Sequence, residues 1–153
     1  MLKKILLGFA LLFVAIQFVR PAKNVSTTPP GPDDFIVRLA PPPEIKTMLQ
    51  TACYDCHSDN TRYPWYAEIQ PGAWWLQQHI DDGQREFSFS GFGAYSAKKQ
   101  AKKLSALIDV IGDRTMPLPS YTWIHRDAIF TDAQLKTLIT WLEATQEKLA
   151  DEN

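Results

Sequence analysis

Cys53-Tyr54-Asp55-Cys56-His57 decides the reading of this 153-residue chain, because both of its cysteines and one of its three histidines fall within five positions. The spacing C-x-x-C-H is the attachment signal of a c-type haem. Two thiols three residues apart can each add to a vinyl group of one haem, and the adjacent imidazole can then ligate the iron. Other chemistries use parts of the pattern. A thioredoxin-like dithiol wants a βαβ setting, a structural zinc site needs four ligands, and a disulfide closing so short a loop adds little stability. The flanks of the motif have helical periodicity and the other histidines, His79 and His125, are irregularly spaced. Covalent haem c is therefore the first reading and these three stand behind it.

Outward from the motif, apolar residues recur at helical spacing. Ile45, Met48, Leu49 and Ala52 follow the i, i+3, i+4, i+7 pattern after Pro43, a favourable first-turn residue. A second helix is expected from Pro71 through Trp74, Trp75, Gln78 and Ile80 to Gly83. A third is expected from Ala97 to Ile111, with Leu104, Leu107, Ile108 and Ile111 inward and a stop at Gly112. The last has the clearest start: Thr131 and Gln134 form a capping box, Phe130 and Leu135 a hydrophobic staple, and Leu135, Leu138, Ile139 and Leu142 a buried stripe. Only Glu86 to Phe92 (EFSFSGF) comes near an alternating pattern. The predicted class is all-α, a small cytochrome c-like domain over 44–153.

The N-terminus gives an address. Lys3 and Lys4 precede the 15-residue apolar run Ile5–Val19, the n- and h-regions of an export signal. The run ends in Phe18-Val19-Arg20-Pro21, without the small residues of a cleavage site, so 1–20 reads as an uncleaved signal anchor in the inner membrane with the remainder in the periplasm. Residues 21–43 contain Pro29, Pro30, Pro32 and Pro41-Pro42-Pro43 and read as a semi-extended spacer that holds the domain off the membrane. Hydrophobic residues make up 45% of the chain and charged ones 22%, which excludes wholesale disorder. Apart from Lys3, Lys4 and Arg20, basic residues are outnumbered by acidic ones, which disfavours nucleic acid as a partner.

The other face of the iron decides what the haem can do. Met116, in Asp113-Arg114-Thr115-Met116-Pro117-Leu118-Pro119, is the first candidate, since a thioether there raises the potential and suits electron transfer. Its rivals are His125 and His79, and Met48 reads as core. Arg62 and Trp65, just after the motif, are candidates to hold a haem propionate or to pack as an aromatic turn. Lys98, Lys99, Lys102 and Lys103 form a basic stripe, either a docking face for an acidic redox partner or a solvated helix face.

The chain resembles the haem-binding domain family of exported bacterial proteins, themselves similar to class I cytochromes c. The resemblance rests on Ile16-Gln17-Phe18-Val19-Arg20-Pro21, on CYDCHSDNTRYPWYAEIQP from Cys53 to Pro71, on Trp74-Trp75, on Met116-Pro117 and on Trp141-Leu142. It implies Cys53 and Cys56 as covalent haem sites, His57 as proximal ligand and Met116 as distal ligand. Family members commonly continue Met-Pro-Pro, where this chain has Met116-Pro117-Leu118-Pro119. The function expected is that of a membrane-anchored, monomeric, monohaem electron carrier rather than an enzyme. The alternatives are a haem sensor or peroxidase with an open or displaceable sixth position, or a passive haem-binding module.

Overall fold

A computed structural model describes residues 1–151; the last two positions of the expected domain, 152 and 153, lie outside the described residues. The helices run α1 (Leu2–Ile16), α2 (Phe35–Leu39), α3 (Pro43–Ala52), α4 (Tyr54–His57), α5 (Gly72–Glu86), α6 (Ala97–Gly112), α7 (Pro119–Thr122) and α8 (Asp132–Asp151), with single 3₁₀ turns at Trp65–Glu68, Phe92–Ala94 and Arg126–Ala128. Among the described residues there is no strand, only an isolated antiparallel bridge between Val25 and Asn60. The all-α expectation stands.

The amphipathic stripes bury as their spacing requires. Ile45, Met48 and Leu49 of α3, Leu104, Leu107 and Ile111 of α6, and Leu138 and Leu142 of α8 form one core cluster. At the start of α8 the capping box is complete: Thr131 N donates to Gln134 Oε1 at 3.0 Å, and Gln134 N to Thr131 Oγ1 at 3.2 Å. The EFSFSGF stretch joins no sheet: it leaves α5 at Glu86, is extended at Phe87 and runs into the 3₁₀ turn that begins at Phe92. Phe87, Phe89 and Phe92 all turn inward, while Phe89 N donates to His57 O and Phe89 O accepts from Phe35 N, both at 2.8 Å. α5 continues one turn beyond its predicted stop. Gly83 sits inside it, where a Cβ would come within 2.6 Å of Cys56 O, so the missing side chain serves close packing of α5 on α4.

The proline-rich segment corrects the spacer reading. Asn24 donates through Nδ2 to Ser58 O at 2.8 Å and to Thr61 Oγ1 at 2.9 Å, and accepts from Thr61 N at 2.9 Å. Asp34 caps α2 by accepting from Ile36 N at 3.0 Å, Ala40 ends it in the left-handed region (φ 44°), and Pro41 follows. The prolines thus bracket a short helix. Its first residue, Phe35, is fully buried, edge-on to Phe89 at 4.9 Å and to Phe92 at 4.8 Å. This segment is a strap built into the core, not a tether.

The anchor reading also changes. α1 forms where expected, with no buried residue, but 15 residues span only about 22 Å against about 30 Å of bilayer hydrocarbon. Among the described residues no helix is long and apolar enough to cross a membrane. The helix ends at Gln17 because that side chain turns to the domain, accepting from Gln70 N at 2.9 Å.

Phe35→Ala should therefore cost about 3–5 kcal/mol, as for a large aromatic in a closed core. A shifted urea midpoint checks this, and a change below about 1 kcal/mol would return the segment to a spacer.

Candidate functional site: an apolar cleft beside the cysteine motif

The motif sits at the junction of two helices. Cys53 closes α3, its N–H donating to Leu49 O at 2.9 Å, and at once begins α4, its carbonyl accepting from His57 N at 3.1 Å. Both intervening residues are engaged. Tyr54 OH donates to Asp34 Oδ1 at 3.0 Å, and its ring lies 5.0 Å from that of Phe89. Asp55 is buried and matched on every side. Arg62 donates through Nε to Oδ1 at 3.0 Å and through Nη2 to Oδ2 at 3.1 Å; Tyr121 OH donates to Oδ2 at 2.8 Å. This fork raises the Arg62 pKa, and burial next to Asp55 raises that of Tyr121.

His57 is held by its far nitrogen. Nδ1 lies 2.9 Å from Phe87 O and must donate to it, which leaves Nε2 as the basic nitrogen. Burial lowers the pKa of this imidazole, keeping it in the neutral form that a metal requires. The ring faces an apolar cleft with two lobes. The larger, about 260 Å³, is lined by Cys53, His57, Phe87, Leu107, Met116 and Phe130 among others. The smaller, about 230 Å³, is lined by Cys56, His57, His79, Gly83, Met116 and Tyr121 among others. Ala52, His57, Glu86, Met116 and Pro117 line both.

Met116 reaches the cleft from a shaped turn. Thr115 N donates to Val110 O at 3.0 Å and Arg114 N to Ile111 O at 3.1 Å, a Schellman pattern closing α6. The left-handed residue of that turn is Arg114 (φ 55°), whereas Gly112 remains helical.

Two expected contacts are absent from the cleft. Arg62 lines neither lobe, because Asp55 takes its guanidinium. Trp65 lines neither lobe and is 73% exposed. Of the rival ligands, His125 is outside the cleft, sharing a 3.1 Å hydrogen bond with Tyr66 OH and stacking on Tyr121 at 4.2 Å. His79 does line the smaller lobe, its Nδ1 2.9 Å from Trp75 O. Lys103, from the basic stripe, lines the larger lobe, with its ammonium on Glu86 O. The roles of Tyr54 and Asp55 were not read from the sequence, where they filled the x positions of the motif; a carboxylate beside an apolar helix was the available signal.

Both cysteines are unpaired. Burial, reinforced by Cys56, pushes the Cys53 thiol up to about 12, and burial, reinforced by Asp55, pushes Cys56 up to about 11. Thiols this weakly acidic are poor partners for disulfide exchange. Among the described residues no three His, Cys, Asp or Glu side chains gather as a metal site. What the residues do fit is a large apolar group: two thiols, a neutral imidazole and a thioether open onto one hydrophobic cleft, the donor set of a haem protein.

The class of protein that this fold and cleft define is a small helical haem-binding protein. The sequence model described as "Haem-binding domain" matches residues 11–144, and the chain belongs to that family. The match includes the strap and both walls of the cleft. No curated protein and no solved structure matches it.

Tyr121→Phe removes the donor that ties the segment after Met116 to Asp55. It should cost about 1.5–3 kcal/mol, the range for a hydrogen bond to a charged group, measured as a shift in the unfolding midpoint. An unchanged midpoint would mean that the Asp55 network does not hold that segment.

Proposed function

We propose that this member of the haem-binding domain family carries haem c and passes single electrons without bond chemistry of its own. The observation that carries the reading is that Cys53, His57 and Met116 line one apolar cavity, with the His57 ring oriented through Phe87 O. Cys53 and Cys56 would hold the porphyrin by thioethers, His57 Nε2 would ligate the iron, and Met116 would offer its sulfur to the same iron. Bound there, haem supplies an iron that exchanges one electron between its ferrous and ferric states. The chain's own work is to exclude water with Phe87, Leu107 and Phe130 and to keep His57 neutral and oriented. A methionine ligand favours the ferrous state and a useful positive potential.

The address proposed is the periplasmic face of the inner membrane, with α1 as the membrane-inserted element. Lys3 and Lys4 before an apolar helix with no residue in the core support it. The partner proposed is an acidic redox protein meeting the Lys98–Lys103 stripe, which Lys103 brings to the cleft. The carrier itself is proposed to be a monomer.

The test is a pair of variants. Cys53→Ala with Cys56→Ala should leave no haem on a denaturing gel; haem that survives would end the covalent reading. Met116→Ala should keep covalent haem, admit added imidazole to the ferric iron and lower the potential by on the order of 100 mV. If the low-spin spectrum and potential are unchanged, Met116 is not the ligand and His79 is the next residue to replace. A high-spin spectrum in the unaltered protein would instead favour a sensor or peroxidase with an open position.

A further inference from the structure

α1 is not loosely attached to the domain. Val19 O accepts from Gln70 Nε2 and from Trp74 Nε1, both at 2.9 Å. Gln17 and Gln70 bond reciprocally, Gln70 N to Gln17 Oε1 at 2.9 Å and Gln17 Nε2 to Gln70 O at 3.3 Å. Arg20 donates to the Glu68 carboxylate at 2.8 Å and to Glu68 O at 2.9 Å, and Lys23 pairs with the same carboxylate. These directed bonds hold the segment that leaves α1, Gln17 to Lys23, against the domain.

The surface around that joint is apolar. Phe18 is 84% exposed, Trp65 73%, Ile69 45% and Trp74 37%. In the 3₁₀ turn, positions 65 and 68 eclipse, so Trp65 stands on the side of Glu68 that grips Arg20. The Trp74 indole lies at Val19 itself. Exposed indoles beside the exit of an apolar helix have the chemistry of the membrane–water boundary, where an apolar ring and a polar N–H are both accommodated. The shortness of α1 acts in the same direction. A helix of about 22 Å in about 30 Å of hydrocarbon draws its flanking residues toward the lipid. Arg20 and Lys23 are both turned onto Glu68, so the face does not present a basic patch to anionic headgroups.

We propose that the face formed by Phe18, Trp65, Ile69 and Trp74 rests on the phospholipid surface and fixes the orientation of the haem domain there. The proposal rests on the membrane reading of α1 given above. It reassigns Trp65 from the haem to lipid, and it replaces a tethered domain by a seated one.

The haem-loaded full chain, mixed with phosphatidylcholine vesicles, separates the two ideas. Flotation reads insertion of α1. Tryptophan emission, compared between vesicles with plain and with brominated acyl chains, reads contact of the face. The chain should float, and bromine should remove part of its emission. Trp65→Phe should shrink the bromine-sensitive part, whereas Trp123→Phe should not; Trp123 is equally exposed, at 75%, and is outside the proposed face. A chain that floats with emission indifferent to bromine overturns the seated face and leaves insertion standing. Bromine-sensitive emission that follows Trp123 instead of Trp65 overturns it too. A chain that does not float overturns both. Among the described residues the Trp65 indole makes no hydrogen bond, and Trp65→Phe keeps an aromatic ring beside Tyr66, so the replacement tests the lipid contact.

Discussion

A carboxylate buried between the two cysteines has to be matched by donors, and none of those donors is local. Asp55 draws Arg62 from the loop after the motif and Tyr121 from the segment after Met116, while its own carbonyl accepts from Thr61 Oγ1 at 2.6 Å. Leaving such a group unmatched below the surface would cost several kcal/mol. Meeting its needs therefore brings the two flanks of the cleft together. The same Tyr121 hydroxyl lies 3.1 Å from Thr51 O, two residues before the motif, and shares its one proton between that carbonyl and Asp55, so a single phenol joins the Met116 side to the attachment side.

Tyr54, the other intervening residue, looks the opposite way. Its hydroxyl meets Asp34 at the head of α2, and the same hydroxyl accepts from Ile36 N at 3.2 Å. The motif is thus pinned to the strap through Tyr54 and to the Met116 segment through Asp55. Between them runs a short chain of hydrogen bonds: Phe87 O receives the His57 ring N–H, His57 O receives Phe89 N, and Phe89 O receives Phe35 N. The orientation of His57 is consequently set by the aromatic segment 87–89 and not by α4 alone, which is a single turn.

The sequence showed the long helices because their cores are patterned on their own residues. α3, α6 and α8 each carry a stripe at helical spacing, and the Thr131–Gln134 box needs no distant partner. The motif was legible because its chemistry lies in its spacing. α2 was hidden, since prolines on both sides outweighed the Asp34-Phe35 signal, and burial of Phe35 depends on phenylalanines more than fifty residues away. Arg62 and Trp65 were placed at the haem by proximity in sequence. Arg62 is claimed by Asp55, and Trp65 points out from a 3₁₀ turn. His125, the foremost rival to Met116 on sequence grounds, is held outside the cleft by its stacking on Tyr121.

Phe35 also meets Trp141, ring centroids 6.1 Å apart, which joins the beginning of the folded domain to its last helix. Bringing together residues more than a hundred positions apart carries a loop-closure entropy that only the completed core can offset. Phe35 is also enclosed by Phe87, Phe89 and Phe92, so the contact with Trp141 adds one long-range constraint to a core that the aromatic segment already closes on one side. For the same reason, damage at the two ends is not independent: loss of Phe35 takes away part of what Trp141 packs against, and the energetic effects of the two positions do not simply add.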